Sequence, residues 1–149
     1  MKENANYRLL APLKTVIMYF TGDIILDDII CLMKQLAQDH EYSPQFNVIV
    51  DFRDCNLNFN NQMLLDYIQF LSKAKLIARR KIAYLTSKPN EVVLTILYSE
   101  MVREHSLEIE VFSTSQAALN YIQGNGLNVE KLDNIILELK SQNCRSAFS

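Results

Sequence analysis

Asp51, Arg53 and Asp54 follow directly on the apolar run Asn47-Val48-Ile49-Val50. Two carboxylates around a guanidinium could do acid–base work, hold a cation, or set the charge selectivity of a docking surface. The apolar run reads as a strand buried on both faces. The charges then arrive where that strand ends, and in open α/β sheets sites collect just beyond the carboxyl ends of strands. Any working site is therefore expected here. The plainer reading, loop charges that pair with one another and cap nearby amides, is preferred, and no catalytic residue is assigned. Asn56, Asn58, Asn60 and Asn61 come next. Asn58 or Asn60 suits the cap of a following helix, and Asn58, Asn60 and Asn61 join Asp51, Arg53 and Asp54 as candidate contact residues.

A second cluster is cationic: Lys73, Lys75, Arg79, Arg80 and Lys81. Such a group could draw an anionic lipid surface or an acidic partner, each charge near a membrane contributing on the order of 1 kcal/mol. Cations that complement a helix C-terminus and then line a solvated loop are the preferred account.

Stronger chemistry is missing from the sequence. Three glycines build no phosphate-cradling loop. No Gly-x-Ser-x-Gly elbow occurs, and the cysteines and histidines have no metal-ligand spacing. No cofactor or metal is expected. Asp51 with Thr86 invites a phosphoacceptor reading. However, an acidic pair after the first strand and a lysine after the last are both lacking, so a transferring phosphoryl group would go unsupported. A net charge of −2 argues against nucleic acid as a partner. No apolar run approaches the roughly 18 residues of a membrane span. Cys31, Cys55 and Cys144 read as reduced thiols of a cytoplasmic protein, Cys31 in a core position. His40 and His105 fall near helix ends and read as surface residues.

The elements that must position these residues follow from periodicity. Met1 to Asn6 is expected to fray. Tyr7–Leu10 and Thr15–Phe20 read as strands joined by a short turn with Pro12, and Thr21-Gly22-Asp23 as a break. Ile25, Ile29, Leu32, Met33 and Leu36 form one helical stripe ending near Asp39-His40. A second helix carries Met63, Leu64, Tyr67, Ile68 and Leu71, and Lys81–Leu85 is the next strand. Pro89 starts a third helix with Val92, Val93, Ile96, Leu97 and Met101 on its buried side, stopping around His105-Ser106. Glu108–Phe112 alternates like a strand. Ser113 to Gln116 resembles a capping box for a helix Ser115–Gln123, ended by Gly124-Asn125-Gly126. Asn128 caps a last amphipathic helix, followed by a polar tail from Asn143. The order ββαβαβαβα plus one helix, in 149 residues of which 49% are apolar, predicts one α/β domain. Its sheet is mixed, with about five strands, an N-terminal hairpin and four to five helices.

Three stretches carry a family resemblance. They are Gly22-Asp23-Ile24-Ile25-Leu26-Asp27-Asp28-Ile29, Val48-Ile49-Val50-Asp51-Phe52-Arg53, and Phe112-Ser113-Thr114-Ser115-Gln116-Ala117-Ala118-Leu119-Asn120-Tyr121-Ile122. In this order the chain resembles the STAS and anti-sigma factor antagonist-like superfamily, with its SpoIIAA-like fold. More closely, it resembles small stand-alone bacterial proteins also described as SEC14-like or CRAL-TRIO-like. The likeness spans about Tyr7 to Ile122 and leaves the last helix outside. It implies a protein-interaction or regulatory domain, with a carrier or sensor of a small apolar or lipid-like ligand as the alternative, and a homodimer among the partners it allows. The sigma-factor regulators carry a phosphorylatable Ser or Thr after the central strand. Asp51 to Leu71 here contains neither, so a partner-switching phosphorylation cycle is not expected.

Overall fold

The computed structural model describes residues 4–103, 107–122 and 126–148. The elements are β1 (Ala5–Leu10), β2 (Thr15–Ile24), α1 (Leu26–Gln38), β3 (Asn47–Leu57), α2 (Asn61–Lys73), β4 (Arg80–Leu85), α3 (Pro89–Val102), β5 (Leu107–Phe112), α4 (Ser115–Ile122) and α5 (Val129–Phe148). A single 3-10 turn at Ala11–Leu13, with Pro12 and a left-handed Lys14, joins β1 to β2.

The five strands lie in chain order, β1-β2-β3-β4-β5, with β1 antiparallel to β2 and the others parallel. Three consecutive right-handed crossovers in such an order put their helices on one face. Side-chain burial agrees. Val16, Met18, Phe20, Val48, Val50, Ile82 and Tyr84 join the buried residues of α1, α2 and α3 in one core. Ile17, Tyr19, Ile49, Ala83 and Leu85 join α4 and α5 in a second. The inner strands thus bury both parities of their side chains, which is why they read as continuous apolar runs.

Local chemistry sets the helix starts. Asp28 accepts the Ile25 N–H at 2.9 Å, and Asn60 accepts the Met63 N–H at 2.9 Å. Thr114, not Ser113, accepts the Ala117 N–H, and Asn128 accepts that of Lys131. Gly126 takes φ +88°, and a Cβ there would meet Leu13 at 3.0 Å, so only glycine fits beside the hairpin turn.

Several sequence expectations need correction. Ala5 and Asn6 belong to β1. Thr21-Gly22-Asp23 does not end β2, because Gly22 adopts φ +79° and pairing with β3 continues to Ile24 opposite Leu57. The central strand runs to Leu57, well past Val50. Cys31 is exposed, because the buried stripe of Ile29, Leu32, Met33 and Leu36 turns position 31 outward. Helix α5 continues to Phe148 where a polar tail was expected. The predicted stops at His105-Ser106 and Gly124-Asn125 lie outside the described residues, as do the side chains of Leu97, Met101 and Cys144.

Candidate functional site

Asp51, Arg53 and Asp54 lie within β3, around a bulge. Tyr19 is opposite Asp51 while Thr21 is opposite Asp54, so β3 holds one residue more than β2 across this interval. Bulges of this kind re-aim side chains. Here Arg53 and Asp54 both reach the α4–α5 side, while Cys55 and Leu57 enter the core under α1–α3.

Asp51 is 2% exposed. Its carboxylate accepts the Arg53 backbone N–H at 2.9 Å, Arg53 Nε at 3.0 Å and Arg53 Nη2 at 2.9 Å. This bidentate pair holds the guanidinium above its ordinary pKa, and Asp133 of α5 adds to the effect. Asp133 itself accepts the Ser115 hydroxyl at 2.8 Å. Asp54 accepts the Tyr19 hydroxyl at 2.6 Å, and Lys140 of α5 approaches the same oxygen at 3.5 Å. The three charges thus pair locally, with one another and with α5.

The Tyr19 hydrogen bond, followed by Lys140, draws Asp54 below its usual carboxylate pKa. A depressed carboxyl contributes stability that is present above its unfolded pKa and lost as pH falls through the folded one. Tyr19→Phe is expected to move the Asp54 titration upward toward the ordinary carboxylate value, followed by carbon-detected NMR of the side-chain carboxyl. An unmoved titration would show that the phenol does not set it.

At the carboxyl ends of β2 and β3 the surface changes character. Ile24 is opposite Leu57, and Ile25, 56% exposed, and Asn58 are the residues that follow these last paired positions. Asn58, Asn60 and Asn61 are exposed as well. Asn56 donates to Asp23 at 3.1 Å, and Lys88, ahead of α3, donates to the Cys55 carbonyl and to Asn56. These bonds tie three strand ends into one rim.

The five cations do not share a surface. Lys73, Lys75 and Arg79 are exposed. Arg80 and Lys81 begin β4, where successive side chains point to opposite faces. Arg80 is therefore buried on the α1–α3 side. Lys81 turns to the other face, donates to the Tyr121 carbonyl at 3.2 Å and lies 5.2 Å from that ring's centroid.

Sequence reasoning missed an aromatic cavity beneath the rim. It measures about 40 Å³, is partly open, and is lined by Phe52, Leu57, Phe59, Tyr67, Tyr84 and Tyr98 among others. Phe52 stacks on Tyr84 at 5.2 Å; Tyr98 meets Tyr84 edge-on at 6.4 Å and Tyr67 at 5.7 Å. Burial pushes the phenols of Tyr67, Tyr84 and Tyr98 far above their ordinary pKa. The only signal in the sequence is one aromatic on each of four elements that meet on the same side of the sheet. Among the described residues no group of His, Cys, Asp or Glu could hold a metal ion, and no helix is long and apolar enough to cross a membrane.

These elements define an α/β protein of SpoIIAA-like fold, the fold that the STAS resemblance implied. A scan against protein-family models and a search of curated proteins found no match. Among solved structures, the chain is similar to an uncharacterized protein of the DUF3478 family with a SpoIIAA-like fold from Shewanella loihica. The TM-score is 0.52 at 13% identity, over 72% of this chain and 83% of that one.

Proposed function

We propose that this protein is a non-catalytic, cytoplasmic interaction domain spanning residues 1–149, which docks a protein partner through the rim at the carboxyl ends of β2 and β3. The observation that carries this reading is Ile25, more than half exposed just past the end of β2, where the segment that follows β3 exposes the amides of Asn58, Asn60 and Asn61. An exposed apolar anchor on a rim whose charges, Asp23, Asp28 and Lys88, are already held by hydrogen bonds suits an interface centre. Asp51 and Arg53 act behind it, by fixing the bulge that sends Cys55 and Leu57 inward and Asn56 and Asn58 outward. With neither Ser nor Thr between Asp51 and Leu71, binding here runs without a phosphorylation switch at this loop.

The test is affinity capture with the double variant Ile25→Asp, Asn58→Lys, beside Glu130→Lys as a remote surface control. At least a tenfold loss of the captured partner is expected for the double variant alone, with an unchanged circular dichroism spectrum. Undiminished capture would take the rim out of consideration. Native mass of the purified protein shows whether the partner is a second copy.

The aromatic cavity favours a second reading, a carrier or sensor of a small apolar ligand held between sheet and helices. A ligand-sized adduct in the native mass spectrum, lost on denaturation, is its expected signature.

A further inference from the structure

β5 is the last strand of the sheet, and its register with β4 is unbroken from Leu107 to Phe112. The Phe112 carbonyl accepts the Thr86 N–H at 3.0 Å. A strand residue turns its N–H and C=O to the same side, and the side alternates along the strand. Glu108, Glu110 and Phe112 therefore turn their backbone groups to β4, while Leu107, Ile109 and Val111 turn theirs out along the edge. The opposite edge, β1, is closed differently. The Thr21 N–H donates to the Asn4 carbonyl at 2.9 Å, which puts the backbone groups of Ala5, Tyr7 and Leu9 on the outside. The Asn6 side chain then accepts the Tyr7 N–H at 2.9 Å and donates to Gln142 at 2.8 Å. Among the described residues no side chain closes an outward amide of β5 in this way. Proline and a bulge, two devices that blunt an edge, are absent from β5 as well. An open groove of about 500 Å³ lies over it, with Ser99 of α3 on one wall and Tyr121 of α4 on the other.

Charge decides what fits there. Leu107 and Ile109 pack on the α1–α3 side and Phe112 on the α4–α5 side, so Glu108 and Glu110, both exposed, project on the side of α4. Neither glutamate has an ion pair among the described residues. The cations of the groove are engaged: Lys81 with the Tyr121 carbonyl and Arg103 with Glu100 at 2.8 Å. Two copies paired antiparallel about Ile109 would set Glu108 of each against Glu110 of the other, and like charges directly opposite are destabilising.

We propose that the free edge of β5 is a strand-addition site, and that its occupant is an extended segment of another protein with lysine or arginine at alternate positions. The added strand bonds to the backbone of Leu107, Ile109 and Val111. Its basic side chains stand opposite Glu108 and Glu110, with about 4.5–5.5 Å between Cβ atoms, and its intervening apolar residues lie on the side of α3. The site is separate from the rim at the ends of β2 and β3 and does not depend on it.

Three fluorophore-labelled heptapeptides with blocked ends test this by anisotropy: alternating lysine and valine, alternating glutamate and valine, and the lysine peptide with its valine amides N-methylated. The lysine peptide is expected to bind the full chain at least tenfold more tightly than either of the others. The double variant Glu108→Lys, Glu110→Lys, changed only at exposed positions, is expected to reverse the order of the lysine and glutamate peptides with an unchanged circular dichroism spectrum. The Ile25→Asp, Asn58→Lys variant is expected to bind the lysine peptide as the wild type does. If the N-methylated peptide binds as well as its parent, charge alone draws it and strand addition fails. If the glutamate-to-lysine variant still prefers the lysine peptide, β5 is not the site. Absence of any lysine-peptide binding overturns the proposal, and so does a wild-type dimer that this variant breaks, which would make the occupant a second copy.

Discussion

A chain ended after Asn128 is expected to lose cooperative folding. Helix α5 buries Leu132, Ile136 and Leu139 almost completely against the second core. It packs on β1 and β2, the strands furthest from α4's contacts with β4. Removing it uncovers Ile17 and Tyr19 and deletes three large buried side chains. Each such loss costs about 2–5 kcal/mol, and together they rival the roughly 5–15 kcal/mol of a whole domain. The truncation also removes Lys140 from Asp54 and Asp133 from Ser115. A broad, featureless thermal transition with strong dye binding is the expected result, and the lost face is expected to be re-covered by adding the α5 peptide in trans. A sharp melt within a few degrees of the full chain would mean that the second core closes without this helix.

Above pH 10 the protein is expected to unfold steeply. A tyrosine whose folded pKa is raised holds its proton in the native state, so its stabilisation is complete below the unfolded value near 10 and is withdrawn as pH climbs beyond it. Tyr84 and Tyr98 are 8% and 5% exposed, and burial lifts both well past that value. One pH unit is worth 1.36 kcal/mol per group, so these two together remove about 3 kcal/mol for each unit above 10. Tyr67 adds to this, again through burial. So does Tyr19, where burial leads and the Asp54 hydrogen bond follows. Tyr121 is pushed up to about 12, by burial and by Glu108 and Glu110. Tyrosinate absorbance and circular dichroism followed on one pH series should change together, since the enclosed phenols ionise only on unfolding. Tyrosinate appearing fully at pH 10 to 11 with the fold intact would show that these phenols are solvated.

Much of the architecture was legible because most helices carry their own stripe and each inner strand its own apolar run; α3 departs from this, since Val93 and Ile96, expected on its buried side, are 56% and 50% exposed. The stripe of Ile29, Leu32, Met33 and Leu36 fixes α1 without knowledge of the partner surface. The positions of Asp51, Arg53 and Asp54 were harder to read. Charge after Val50 suggests a strand end, but a buried aspartate held by the arginine two residues on lets the strand continue. The basic run from Lys73 to Lys81 misleads for a related reason. Contiguity in sequence suggests one patch, yet a strand begins at Arg80 and separates neighbours across the sheet. The cavity was illegible because Phe52, Tyr67, Tyr84 and Tyr98 come from four separate elements, and nothing local in any of them announces the other three.

The surplus residue of β3 has one more consequence. Up to Phe52 the even-numbered positions lie under α1–α3; from Cys55 onward the odd-numbered ones do. The strand is two half-strands set out of phase, the first matched to a sandwich between two helical layers, the second to a covered inner side and an open outer one. Ironing out the bulge at full length would carry the first phase on to the strand's end, drive Asn56 into the apolar interior and turn Leu57 out to water. Removing one residue between Asp51 and Cys55 would instead leave Cys55 and Leu57 inward in an unbroken alternation, so it is the bulge, and not the strand's length, that decides which way its second half faces.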